Sequence, residues 1–177
     1  MLKGMSRSEG EAVMKGRGAI TISLFALLLA VMQLVSNGNS SKILSTTLAI
    51  TDTWSFYQSK SIKQSQAEYA QEDALRANDK KRADELQRRI DRYESEPSTG
   101  EGKKELMAKA RQLEAERTVS QKRSPWYSIS ITLVQIGLVL SSTAILAVSM
   151  EMLWASIACA VIASALFANG FFMFAFF

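Results

Sequence analysis

Three long stretches of the sequence contain no charged side chain, and this segregation of charge leaves few folds open to the chain. The stretches are residues 19–35, 126–150 and 152–177. The segment between the first two, residues 36–124, carries 17 of the 21 lysines and arginines and 14 of the 17 acidic residues. A helix needs about 20 mostly apolar residues to cross a bilayer. The pattern therefore predicts an all-α membrane protein with three transmembrane helices and one extramembrane module.

The segment boundaries follow from the same pattern. The predicted order is a polar basic tail at 1–18, transmembrane helix 1 at 19–35, a charged helical hairpin at 36–124, transmembrane helix 2 at 126–148 and transmembrane helix 3 at 153–177. A basic start before an apolar run also describes a secretory signal. Because no A-x-A pattern precedes the polar break at 36–41, we favour a retained membrane helix.

The charged segment is predicted to be an antiparallel helical hairpin. Asparagine, glycine and serine at 36–41 predict the end of one helix and the start of another. Helical spacing then continues to residue 95, with a heptad series that gives a weak coiled-coil signal: Ile62, Tyr69, Arg76, Ala83 and Ile90. Proline and glycine predict the hairpin turn near 96–102, and the second arm should run from 103 to 123. We expect Pro125 to end that arm, and 150–152 to form the turn between the last two spans.

The two predicted arms differ in length. A continuous helix over 42–95 would be roughly 80 Å long, and one over 103–123 roughly 30 Å. Both must return to the same membrane face. The first arm must therefore bend, lie along the membrane or extend past the second arm.

One motif concentrates aromatic and charged side chains in this surplus. Its members are Asp52, Trp54, Phe56, Tyr57, Gln58, Lys60 and Lys63. One interpretation places the aromatic rings in the headgroup layer, with the lysines reaching lipid phosphates. The other has the aromatic stripe pack on a neighbouring helix. Either way, the motif is a candidate interface and not a catalytic site.

The composition excludes several kinds of chemistry. The chain has no histidine, and Cys159 is its only cysteine, so a disulfide within one chain is impossible. No nucleotide-binding, zinc-protease or serine-hydrolase motif occurs. We predict no catalytic residue, cofactor or metal. The net charge of +4 comes from interspersed basic and acidic residues, so we predict no nucleic-acid partner.

The apolar stretches contain few strongly polar side chains. Gln135 and Asn169 are the two amides that we expect to form polar contacts between helices. A transport path usually shows an ionisable residue within a span, and none is buried here. Four basic residues precede the first span and only Lys42 follows it closely. This favours a cytoplasmic N-terminus and a periplasmic hairpin, whereas the basic residues before span 2 favour the opposite orientation.

The run from Asp52 to Lys63 resembles the D-x-W-x-[FY]-[FY]-Q-[AS]-K-[SN]-[IT]-K core of a bacterial membrane family, domain of unknown function 4337. Trp126-Tyr127 and the run from Leu133 to Ile136 are also similar to the family's second span. The resemblance implies one span, a charged hairpin and two closing spans. It implies no known activity. This chain departs from the family in two places. Family members often have a histidine-rich, acidic N-terminus, which this chain lacks. They also often have a basic loop between the last two spans, which supports a cytoplasmic assignment in the family, whereas the loop here is Met150-Glu151-Met152.

These observations predict a non-enzymatic accessory or scaffold subunit of the bacterial inner membrane. It would act by helix–helix assembly with itself or with a larger membrane complex. The alternative is a homo-oligomeric channel or transport component lined by serine, threonine and glutamine. A membrane-surface lipid sensor, reading lipid through the aromatic motif, is a third interpretation. In each case we expect the lipid bilayer to be a partner of the chain.

Overall fold

The structure, a computed structural model, describes residues 7–172, and their side chains from residue 11 onward. Over these residues the chain is all-helical, with no strand, which confirms the predicted class. The helices are α1 (Arg7–Arg76), α2 (Lys80–Glu94), α3 (Lys103–Ala147) and α4 (Met150–Phe172). Helices α1, α3 and α4 are long and apolar enough to cross a membrane. The first six residues of the predicted tail and the last five of the predicted third span lie outside the described residues.

The chain divides into two compact units. The apolar unit contains the described residues up to Ser41 and those from Ser120 onward, and the charged unit is Lys42–Val119. Helices α1 and α3 each contribute to both units.

The apolar unit packs α1, α3 and α4 around small residues. One cluster joins Phe25 and Met32 of α1 to Val134 of α3 and to Ala160 and Ala163 of α4. A Cβ added at Gly137 would lie 3.1 Å from both the Phe25 ring and the carbonyl oxygen of Ser156. Small side chains at such crossings let helix backbones approach closely.

The charged unit reverses direction at residues 77–79, between α1 and α2. Asn78 adopts φ 56°, and the backbone N–H of Asp79 donates to the carbonyl of Ala74 at 2.9 Å. The Asp79 carboxylate then accepts the backbone N–H of Arg82 at 3.1 Å and caps α2. Asparagine tolerates left-handed backbone and aspartate is a preferred N-cap, so this pair ends one helix and starts the next.

The returning arm consists of two helices in succession. Gln71 donates to Gln87 at 2.8 Å, Lys60 contacts Glu101, and Trp54 contacts Glu114. Partner numbers rise as the α1 numbers fall, so α2 and then α3 run antiparallel to α1. The problem of unequal arms is solved because the first arm ends at Arg76 and not at residue 95. Residues 95–102 form a joint within the returning arm, so the prediction that the hairpin turns there was wrong.

The predicted break at 36–41 was also wrong, because α1 continues through it without interruption. The reason lies in what the amide does. Asn39 Nδ2 donates to the carbonyl oxygen of Ser120 on α3 at 3.0 Å, so its side chain makes a contact between helices and does not cap a new one. Gly38 has helical backbone and open space around it.

Pro125 does not end the second arm, since it lies inside α3. An internal proline removes one helix hydrogen bond and costs about 3 kcal/mol. The helix nevertheless continues through Pro125, and the residues directly after it are closely packed. Tyr127 is buried and its ring lies 5.0 Å from that of Phe167, and a Cβ on Gly170 would lie 2.6 Å from Trp126 Cβ.

Two further sequence expectations were wrong in detail. The turn between α3 and α4 lies at Val148 and Ser149, and residues 150–152 already belong to α4. Val148 has φ 49°. A β-branched residue disfavours this conformation, so the residue type at position 148 did not indicate a turn. The proximal heptad face was misassigned, because Ile62 and Tyr69 are exposed.

Candidate functional site

The aromatic motif lies on α1 in the charged unit, and half of it faces α3. Trp54 Nε1 donates to Glu114 Oε1 at 3.2 Å. The Trp54 and Tyr57 rings meet edge to face, with centroids 5.4 Å apart. Lys103 Nζ lies 5.6 Å from the Tyr57 ring centroid. Trp54 and Tyr57 are half-buried, so for these two residues the structure has the stripe packing on a neighbouring helix.

Lys60 is held beside the joint of the returning arm. Its ammonium lies 3.5 Å from Glu101 Oε2. It also lies 5.9 Å from the Phe56 ring centroid and 5.8 Å from that of Tyr93. Only 14% of its side chain is exposed. A lysine enclosed in this way bridges α1 to the returning arm and does not extend outward toward a lipid phosphate.

The other half of the motif faces away from the returning arm. Asp52, Gln58 and Lys63 are exposed, and Phe56 is 47% exposed. The motif therefore serves two purposes: its inner residues hold the hairpin together, and its outer residues are available for contact.

A row of large apolar side chains runs along the outside of α1 in the charged unit. We call Leu44, Leu48, Ile62 and Tyr69 the outer stripe. They are 63%, 59%, 60% and 70% exposed, respectively. Leu48, Ile62 and Tyr69 share one face, because their spacings are multiples of seven. The sequence revealed the repeat at Ile62 and Tyr69, but residues 67 and 74 carry the small alanines that this helix buries.

Hydrogen bonds to carboxylates hold the joint at residues 95–102. Glu105 accepts from Ser95 Oγ at 2.6 Å and from the backbone N–H of Glu96 at 3.1 Å. The hydrogen bond from Ser95 is the main cause of the lowered pKa of Glu105. The pKa of Glu96 is lowered chiefly by its hydrogen bond with Arg92, whose Nη2 lies 2.8 Å from Glu96 Oε1.

A small cavity opens beside this joint. It measures about 190 Å³ and is lined by Lys60, Arg89, Arg92, Tyr93 and Glu96. The contacts of Lys60 with Glu101 and of Arg92 with Glu96 engage two of its three cations. The arrangement is that of a structural ion-pair network.

The two amides expected to link helices have different surroundings. Asn169 of α4 is half-buried and engaged. Gln135 of α3 is exposed, and its side chain forms no hydrogen bond within the described residues. It lies in a shallow, mostly apolar groove with Thr132, Ile136, Val139 and Leu140. The structure therefore gives no partner for Gln135 inside the chain.

Among residues 11–172, no group of three or more histidine, cysteine, aspartate or glutamate side chains is placed to hold a metal ion. Cys159 is a free, half-buried thiol on α4. The side chains that the structure brings together are those of a helix–helix contact surface.

Comparison with known proteins gives a family and no activity. The family model described as Domain of unknown function (DUF4337) matches residues 14–173, which is most of the chain. No curated protein and no solved structure gives a significant match. The family expected from the aromatic motif is confirmed, and the chain belongs to the DUF4337 family.

Proposed function

We propose that this protein is a non-enzymatic accessory or scaffold subunit of the bacterial inner membrane. The apolar stretches of α1, α3 and α4 cross the bilayer, and the charged unit stands outside it. The N-terminus is cytoplasmic and the charged unit periplasmic. The protein acts by helix–helix assembly with itself or with a larger membrane complex.

The outer stripe carries this proposal. Four large apolar side chains, each at least 59% exposed, lie along a helix in the segment with most of the charge. Single exposed apolar residues are common on protein surfaces, but a row of them along one helix is a candidate interaction surface. Rows of apolar residues at heptad spacing are typical of helices that pair with other helices.

Copurification in mild detergent tests the proposal. We expect the wild-type chain to elute above its monomer mass or to bring down a defined membrane partner. Replacing Leu48, Ile62 and Tyr69 together by serine should abolish this association. The control replaces the exposed acidic residues Glu68 and Glu72 of the same helix by serine, and it should leave association unchanged. A strict monomer with no copurifying polypeptide would overturn the proposal.

Orientation has its own test. Ser98 lies in the joint of the charged unit, so Ser98→Cys in a Cys159→Ala background places one thiol outside the proposed bilayer. A membrane-impermeant maleimide added to intact spheroplasts should label this cysteine. Labelling that requires lysis would place the charged unit in the cytoplasm and overturn the proposed orientation.

A homo-oligomeric channel is the second candidate. The observation that favours it is the exposed Gln135 and Thr132 on α3, since several copies could turn these polar groups toward a shared lumen. Ion or solute flux through proteoliposomes of the pure protein would support the channel. Sealed vesicles that contain assembled protein would exclude it.

A further inference from the structure

Gln135 is an exposed amide within the apolar stretch of α3. Two exposed hydroxyls of the same helix bond within that helix: Thr132 donates to the carbonyl of Ser128 at 3.0 Å and Thr143 to that of Val139 at 2.9 Å. The longer Gln135 side chain carries two donor hydrogens and an acceptor oxygen, and one backbone carbonyl of its own helix cannot satisfy all of them. Its side chain is exposed and forms no hydrogen bond within residues 11–172.

The position of Gln135 along the helix keeps it from water. Residue 135 lies about 14 Å along the axis from Trp126 and about 18 Å from Ala147, at 1.5 Å per residue. The bilayer core is about 30 Å thick, so an α3 that crosses it holds Gln135 near the middle. The side chain is too short to extend to either headgroup layer, although longer side chains near helix ends do so.

An amide facing lipid at this depth is costly. Hydrocarbon offers it no hydrogen-bond partner, and an unpaired amide there costs several kcal/mol. Glutamine side chains in membrane helices therefore bond across to other helices. The helices of this chain do not cover Gln135, so the partner must come from another molecule.

We propose that Gln135 pairs with Gln135 of a second copy of this chain across a two-fold axis, so that α3 forms a homodimer contact. A primary amide is self-complementary, because its NH₂ donates and its oxygen accepts. Two copies related by a two-fold axis form two such bonds, and every residue on the axis meets its own equivalent. This inference rests on the proposed assembly function and specifies one interface for it.

The surface around Gln135 suits a helix partner. Thr132, Ile136 and Val139 lie on the same face at spacings of four and three, and all are exposed. Leu140 borders the groove in which the amide lies. Helices in membranes associate through such packing, and one central hydrogen-bonded pair then fixes the register.

Disulfide cross-linking locates the contact. In a Cys159→Ala background, Gln135→Cys should form a disulfide-linked dimer in native membranes on mild oxidation. Val161→Cys is the matched control, because it is a 65% exposed position in the middle of α4. Cross-linking at position 161 measures random collision. Equal cross-linking at both positions, or capture of a different polypeptide at position 135, would overturn the inference.

A dissociation constant measured in lipid tests the hydrogen bonds. Gln135→Leu keeps the size of the side chain and removes both bonds, and should weaken self-association about tenfold. Gln135→Asn keeps the amide and should restore most of the affinity. An unchanged dissociation constant in Gln135→Leu would overturn the inference. Gln135 is exposed in the single chain, so neither variant disturbs the core of the protomer.

Two outcomes separate this inference from the functions proposed above. Association that survives Gln135→Leu but is lost with the outer-stripe variant would overturn this contact and leave the scaffold function standing. Modification of Gln135→Cys by a charged, impermeant thiol reagent would place residue 135 in water and favour the channel. A Gln135→Cys variant that forms the disulfide-linked dimer and is not modified by the charged reagent supports the dimer contact.

Discussion

Trp54 Nε1 donates a hydrogen bond to Glu114 Oε1 across 3.2 Å, and this bond joins two helices whose residues lie 60 positions apart in the sequence. Trp54→Phe keeps an aromatic ring but removes the donor. We expect it to destabilise the charged unit by about 1 kcal/mol, the usual net contribution of such a bond. Faster amide hydrogen exchange in residues 50–57 and 110–117 would show this. Glu114→Gln keeps the shape of the side chain and an acceptor oxygen, so it should have the smaller effect. Equal effects would mean that the charge of Glu114, and not its bond with Trp54, is responsible.

Acid should loosen the joint at residues 95–102. The pKa of Glu105 is lowered from its ordinary value of 4.5, mainly by the hydroxyl of Ser95 and then by the backbone N–H of Glu96. A carboxylate with a lowered folded-state pKa stabilises the fold above its unfolded pKa, and this stability is lost as the pH falls through the folded value. Amide exchange in residues 94–106, corrected for intrinsic rates, should therefore increase below about pH 4.5.

The control for this pH effect is Glu105→Gln, which cannot ionise. Its joint should be looser at neutral pH, and its exchange should depend less on acid. The lowered pKa of Glu96, caused first by Arg92, acts in the same direction, so a weaker pH dependence should persist in this variant. A pH response identical to that of the wild type would remove Glu105 from the explanation.

Gly102 should not tolerate a side chain. A Cβ there would lie 2.6 Å from Ser95 Cα and would collide with the backbone nitrogen of Glu96 and with the Glu105 carboxylate. Gly102→Ala should destabilise the charged unit by about 1–3 kcal/mol, the range for overpacking. Gly38→Ala is the matched change at a helical glycine with nothing within 4 Å, and should stabilise α1 by about 0.5–1 kcal/mol. Thermal unfolding in detergent, followed by circular dichroism, distinguishes the two signs.

The reversal at residues 77–79 depends on its capping aspartate. Asp79 accepts the backbone N–H of Arg82 at 3.1 Å, and Asp79→Ala removes that acceptor. Helix N-caps contribute about 1 kcal/mol, so we expect a loss of that size together with faster exchange in the first turn of α2. Asn78→Gly should be neutral or slightly stabilising, since glycine accepts φ 56° more readily. Equal losses in both variants would contradict the capping role.

Charge segregation was sufficient to predict an all-helical chain with three long apolar helices, because that signal extends over whole segments. Local residue types that usually break helices were less reliable guides to where the helices end. Residues 36–41 and Pro125 have the composition of breaks, yet α1 and α3 continue through them, with lateral contacts from Asn39 to Ser120 and from Tyr127 to Phe167. Such contacts join distant positions and leave no local mark in the sequence. The break at Asn78-Asp79, which the sequence analysis did not predict, lies in a run of charged residues with no proline or glycine.

The candidate site was predictable to a similar degree. The motif could be found because its aromatic residues stand out in a polar segment, but its division into an inner and an outer half could not. That division depends on whether α1 buries the face with Ala67 and Ala74 or the face with Ile62 and Tyr69. Alanines at the first face allow close approach of a helix, and the structure buries them. Ile62 and Tyr69, which the heptad series marked as a weak coiled-coil signal, are left exposed.

The arm that returns along α1 consists of two separate helices, α2 and α3. The hairpin can therefore change its length without changing the register of α1 and α3 at Trp54 and Glu114. Adding whole helical turns to the end of α1 and to α2 would lengthen the tip, while the pairing of Trp54 with Glu114 stayed in register. Differences in length among relatives of this chain should therefore occur in residues 62–94, and the pairing of Trp54 with Glu114 should be retained.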